Sequence, residues 1–138
     1  MLKYLRLVGV GIVFLWFFVG GIGHFTNMEF FLSIVPPWVP FPVLAVYLSG
    51  AIEVVLAVLL FVKKIRPLVG WGIIALTIAV TPANVHMWLN PDLFPDVTPT
   101  LLGVRLIVQV FLIALIWWST RDSSETNSSE TNNTEQVA

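Results

Sequence analysis

The chain contains no cysteine, which excludes dithiol redox chemistry, thiolate metal sites, covalently attached haem c and disulfide bridges. Charge is nearly as scarce: Asp, Glu, Lys and Arg make up 11% of the 138 residues, against about 25% in soluble domains. The seven basic residues form no stripe of the kind a phosphate backbone requires, so nucleic acid is not a partner. What the chain has instead is apolar sequence, 57% of its residues, with a mean hydropathy of +0.90. A soluble fold of this size could not cover so much apolar area. The composition calls for the lipid bilayer as solvent and partner.

A membrane span needs roughly 17–25 predominantly apolar residues. Four runs qualify: residues 7–25, 43–62, 67–89 and 101–119. The expected fold is therefore all-α, a polytopic membrane protein built as a four-helix transmembrane bundle over residues 1–121. The four spans leave no room for an extramembrane enzyme domain. The first run starts with Lys3 and Arg6 but exceeds a signal-peptide core and lacks an A-x-A sequence, so it reads as an uncleaved helix. Residues 122–138 are Ser, Thr, Asn and Glu with almost no apolar content, and predict a disordered polar tail.

With four spans, Lys3 and Arg6, then Lys63, Lys64 and Arg66, then Arg121 fall on one side of the membrane. The other two loops carry Glu29, Asp92 and Asp96 and no cation. The positive-inside rule then puts both termini in the cytoplasm. The first outer loop, residues 26–42, is apolar and interrupted by Pro36, Pro37, Pro40 and Pro42. It predicts a short interfacial helix over about residues 28–34, followed by an extended proline segment. The pair would act as an amphipathic lid or as a gate over an outward-facing pocket.

Six strongly polar residues lie in or beside the spans: His24, Glu53, Asn84, His86, Arg105 and Gln109. A charge near the bilayer centre costs about 2.5–3.5 kcal/mol, so it faces the bundle interior and has a partner. Helical side chains lean toward their own N-terminus. With the spans alternating in direction, His24, Glu53, Asn84 and Arg105 converge on one layer in the outer half. Gln109 follows Arg105 at i+4, and Ser49 precedes Glu53 at i−4. Asn84 and His86 are roughly 200° apart on their helix, so at most one faces the bundle. The simplest arrangement is a Glu53–Arg105 ion pair, with Gln109 and Asn84 completing its hydrogen bonds. Intramembrane contacts of this kind average only about 0.6 kcal/mol, which makes stability alone a poor reason to retain them.

His24 and His86 raise the question of haem, since two histidines on neighbouring helices can serve as axial ligands. Both lie near helix ends, where an interfacial histidine is commonplace, and haem is set aside. No metal site and no resident cofactor is identifiable from the residues. Pro82 should kink the third span one turn before Asn84. Ala75, Ala79 and Ala83 form a small-residue stripe suited to close helix contact.

Five strings occur in order: Gly-Ile-Gly-His-Phe at 21–25, Phe-Phe-Leu-Ser-Ile-Val-Pro-Pro-Trp at 30–38, Ser-Gly-Ala-Ile-Glu at 49–53, Pro-Ala-Asn-Val-His-Met at 82–87 and Arg-Leu-Ile-Val-Gln at 105–109. The set resembles the DoxX-like family of small four-helix bacterial membrane proteins over residues 1–120. The resemblance implies a component of the bacterial inner membrane associated with redox systems. The family's characteristic His, Glu, Asn, Arg and Gln map to His24, Glu53, Asn84, Arg105 and Gln109. Two functions follow as expectations. The first is a redox-associated subunit whose polar pocket binds a quinone head group, at most an accessory to a membrane oxidoreductase and dependent on a membrane or cytoplasmic redox protein for electrons. The second is a noncatalytic chaperone, assembly or interaction factor. The sequence leaves homo-oligomerisation open.

Overall fold

A computed structural model describes residues 1–121; the expected polar tail, residues 122–138, lies outside the described residues. Four helices are long and apolar enough to cross a membrane: α1, Leu2–Thr26; α3, Pro42–Leu59; α4, Arg66–Leu89; and α5, Pro99–Thr120. At about 1.5 Å per residue, they run from roughly 27 Å for α3 to roughly 37 Å for α1. A short α2, Met28–Ser33, joins α1 to α3, and a 3₁₀ turn, Pro91–Leu93, joins α4 to α5. Among the described residues there is no strand. The fold is the all-α, four-helix membrane architecture that the composition calls for.

Local chemistry starts these helices. Pro42, Pro67 and Pro99 stand in the first turns of α3, α4 and α5, where the missing N–H costs no intrahelical bond. Thr98 caps α5, its hydroxyl accepting from the Leu101 N–H at 3.4 Å. The approach to α3 differs from the expected extended segment. Residues 36–39 close a turn, with the Val39 N–H donating to the Pro36 carbonyl at 3.0 Å. Pro37 sits at the second position of that turn, where its fixed φ is preformed. Phe41 then takes φ 52°, a left-handed conformation that costs a non-glycine residue on the order of 1–3 kcal/mol.

The spanning helices form a ring in chain order. α1 packs on α3 and α5, and α4 packs on α3 and α5, so that α1 and α4 are diagonal, as are α3 and α5. The start of α1 and the end of α5 meet at one end of the bundle, where Arg6 Nη1 donates to the Arg121 carbonyl at 3.0 Å and the Arg121 guanidinium lies 3.9 Å from the Trp117 ring centre. α2 and the 3₁₀ turn lie at the opposite end.

Glycine, and not the alanine stripe, makes the closest helix contacts. A Cβ on Gly21 would come within 2.8 Å of the Gly50 carbonyl, and one on Gly50 within 2.5 Å of His24 Cβ, so the α1–α3 crossing has no room for a side chain. Gly9 meets Ser119 between α1 and α5, and Gly70 meets Thr120 between α4 and α5. Ala75 and Ala79 are exposed instead. Their spacing resembles a contact motif, but the face they occupy turns away from a tight crossing.

Two apolar cores result. The larger, toward the start of α1 and the end of α5, holds Val13, Phe17, Ala57, Ile73 and Ile116 in one cluster from all four spanning helices. The smaller, at the α2 end, joins Ile34, Met87, Phe94 and Leu102. Many outward side chains are large and exposed, among them Leu15, Val55, Ile78 and Phe111. That surface suits hydrocarbon.

Candidate functional site

Between the two cores the bundle is hollow. A cavity of about 900 Å³ is lined by residues of α1, α3, α4 and α5 and by the segment that follows α2, a size in the range of small-molecule sites. It divides the ring into two pairs. α1 and α3 stay in contact beside it through Gly21, Gly50 and the Phe25–Tyr47 ring pair. α4 and α5 stay in contact through Asn84, Gln109 and Trp88 over Gly103. Ile34 of the smaller core lines it at the α2 end, and Phe17 and Leu112 of the larger core line its floor.

The α1–α3 wall carries His24, Ser49 and Glu53. His24 Nδ1 lies 2.9 Å from the Val46 carbonyl oxygen and 3.1 Å from the Ser49 hydroxyl, which itself donates to that carbonyl at 3.0 Å. A carbonyl only accepts, so Nδ1 carries a proton. The imidazole stacks on Phe31 with ring centres 3.9 Å apart. This leaves Nε2 aimed at Glu53 Oε1, 3.6 Å away. A further proton taken up here sits either on Nε2, beside a Glu53 carboxylate, or on Glu53, opposite a neutral imidazole. In both cases one proton belongs to the pair. Glu53 is 8% exposed and borders the cavity. Among the described residues no group hydrogen-bonds its carboxyl.

The α4–α5 wall carries Asn84, Arg105 and Gln109. Arg105 Nη2 donates to Asn84 Oδ1 at 3.3 Å and Nη1 to the Met87 sulfur at 3.5 Å. Asn84 Nδ2 donates to Gln109 Oε1 at 2.7 Å. Gln109 Nε2 donates to the Thr77 carbonyl at 3.0 Å and to the Thr81 hydroxyl. Thr81 also donates to the Thr77 carbonyl at 2.9 Å. These bonds fall just before Pro82, where the helix ladder lacks a donor, and α4 runs on to Leu89 without interruption.

The structure thus brings His24, Glu53, Asn84, Arg105 and Gln109 to one cavity, but with pairings that differ from the simplest arrangement. Glu53 does not pair with Arg105. The two stand on diagonal helices, so the carboxyl finds the imidazole of its adjacent helix α1, and the guanidinium finds the amide of its adjacent helix α4. His86 stays out of the cavity and is held by Asn90, whose Nδ2 lies 3.2 Å from its Nδ1 and donates to its carbonyl at 2.8 Å. Four contributors escape a reading of charge alone: Phe31 under His24, Met87 beside Arg105, and Thr77 and Thr81 under Gln109. The two threonines had a usable signal, hydroxyls at i and i+4 immediately before a proline within a span. Phe31 and Met87 had none, since they resemble ordinary apolar filling.

Residues 13–120 match the model of the family described as Domain of unknown function (DUF8561), and the chain belongs to that family. No curated protein and no solved structure matches it.

Proposed function

We propose that this protein is a redox-associated subunit of the bacterial inner membrane that binds a quinone head group in the cavity between its two helix pairs. The observation that carries the reading is the Glu53 carboxyl, almost wholly buried, bordering an apolar cavity and lacking a hydrogen bond of its own. At 3.6 Å the His24 imidazole stands beyond hydrogen-bond distance, so the carboxyl keeps hydrogen-bonding capacity toward the cavity that a ligand can use. Arg105, on the opposite wall, spends two bonds on Asn84 and Met87 while a guanidinium has five N–H donors. A head group with oxygen at both ends meets these walls well. The proton of the His24–Glu53 pair donates to one carbonyl of a quinone, and Arg105 donates to the other. For the quinol, the same carboxyl in its ionised form accepts from the hydroxyl. No electron carrier is implied within the bundle, so a partner protein supplies the electrons. The DoxX-like resemblance supports the same association.

Addition of a quinone to the purified protein is expected to raise its thermal unfolding temperature, and Glu53→Gln to remove most of that rise while leaving the ligand-free protein folded. An equal rise in wild type and Glu53→Gln would overturn the reading. The proposed orientation has both termini in the cytoplasm. It rests on Lys3, Arg6, Lys63, Lys64, Arg66 and Arg121 standing toward one end and Glu29, Asp92 and Asp96 toward the other. A reporter fused after Ser119 that is active only in the periplasm would overturn it.

A further inference from the structure

At the α2 end the smaller core, Ile34, Met87, Phe94 and Leu102, all 6% exposed or less, stands beside the cavity, and Ile34, Val35, Trp38 and Val39 line it there. The cavity's floor is the larger core. Along its sides the cavity reaches two seams where the helix pairs face each other, one between α1 and α5 and the other between α3 and α4. The two seams are not alike. Trp16, with its large indole, and Val104 line the first. Leu48, Ile52, Leu76 and Ala79 line the second, and neither α3 nor α4 contributes an aromatic side chain to the cavity lining. α3 and α4 are also the neighbouring pair in least contact, touching chiefly beyond the cavity, where Leu56 lies over Gly72. Leu48 and Ala79 are exposed as well as cavity-lining, as Trp16 and Val104 are at the first seam, so the difference between the seams lies in their width and in the indole.

We infer that the α3–α4 seam is the seat of a long hydrocarbon tail, so that the ligand is a membrane-dissolved isoprenoid amphiphile entering sideways from the bilayer. This deepens the quinone reading and rests on it. Three features carry the assignment. The seam lies at the depth of Glu53, roughly 16 Å along α3 from Pro42, and therefore within hydrocarbon. Every residue lining it is apolar, so an alkyl chain leaves no polar group unsatisfied there. It is continuous with the cavity that holds the buried Glu53 carboxyl, so one molecule can put its head between the walls and its tail in the seam.

The test uses two probes with one head group, a quinone bearing a long isoprenoid tail and the same quinone with none, on full-length protein in lipid nanodiscs. Ala79→Trp fills the seam opposite Ile52. The expected result is at least a tenfold loss of affinity for the tailed quinone, with the thermal shift from the tail-less one retained. That retained shift also shows that the variant is folded. Ala79→Phe, a smaller intrusion, is expected to fall between. A tailed quinone bound equally well by wild type and Ala79→Trp overturns the seam assignment and leaves the head-group reading standing. Loss of the tailed quinone in Val104→Trp but not in Ala79→Trp also overturns it, by moving the tail to the α1–α5 seam. Loss of both probes in Ala79→Trp overturns it too, since a tail seat must be separable from the head site. If wild type binds neither probe, the head-group reading and the tail seat fall together.

Discussion

The two halves of this bundle are built from the same four helices and obey opposite packing rules. Toward the start of α1 and the end of α5, Gly9 meets Ser119, Gly70 meets Thr120, and Val13, Leu60, Ile73 and Ile116 are essentially without exposure. Toward α2, the ring parts into α1–α3 and α4–α5 around about 900 Å³ of space. Close packing is the ordinary state of a protein interior. A hollow half therefore reflects something other than stability, and it is the half that contains the buried carboxyl, guanidinium, imidazole and amides. The dense half clamps the helices together, which allows the other half to remain apart.

The sharpest way to break this contrast is to make one kind of deletion on both sides of it. Ile73 and Leu76 are less than one turn apart on α4, the first in the larger core and the second on the cavity wall. Ile73→Ala should lose about 2–5 kcal/mol of stability, because it opens a void where none existed. Leu76→Ala only enlarges an existing space, adds no separate void, and should lose clearly less than Ile73→Ala. Reversible unfolding in detergent measures both. Equal losses would mean that the two halves are packed alike.

A smaller effect is expected at the border between the regions. Gly50→Ala places a methyl 2.5 Å from His24 Cβ and 3.0 Å from the Gly21 carbonyl, and overpacking of this sort costs about 1–3 kcal/mol. It should also displace His24 from Val46 and Glu53, so the quinone-dependent thermal shift should fall along with the stability. A variant that unfolds earlier yet keeps the full shift would separate the crossing from the site.

The smallest effects concern who pairs with whom. Double-mutant cycles should give coupling of about 0.6 kcal/mol for Asn84 with Gln109, the usual size for a hydrogen bond between membrane helices. His24 with Glu53 should couple by at least as much. Glu53 with Arg105 should couple more weakly than either, since diagonal helices hold them on opposite walls. A Glu53–Arg105 coupling larger than that of His24–Glu53 would show that the walls close onto each other in the ligand-free protein.

Much of this was legible in the chain. The run from residue 101 to 119 can hardly be anything but a span, and the structure extends it only to Pro99–Thr120. Helices in a membrane must satisfy their backbone internally, so apolar length alone identifies them. The likelihood of a shared polar layer was readable too, because insertion cost drives Glu53 and Arg105 inward and helix geometry sets their depth. Partner choice was not readable. Depth says that two groups lie in one layer, but not whether their helices are adjacent or diagonal, and so Glu53 meets His24. The Ala75–Ala79–Ala83 stripe misled for a related reason, since spacing marks a face without saying what that face meets.

Composition and periodicity by themselves determined that the chain lives in a bilayer, how many times its helices can cross, and which few polar residues must turn inward. Those are consequences of transfer energies, which act on each residue separately. The ring order of the helices, the glycine crossings and the parting of two helix pairs around a cavity were decided only by tertiary structure. They depend on which surfaces fit together, and fit is a property of pairs of helices that no single residue carries.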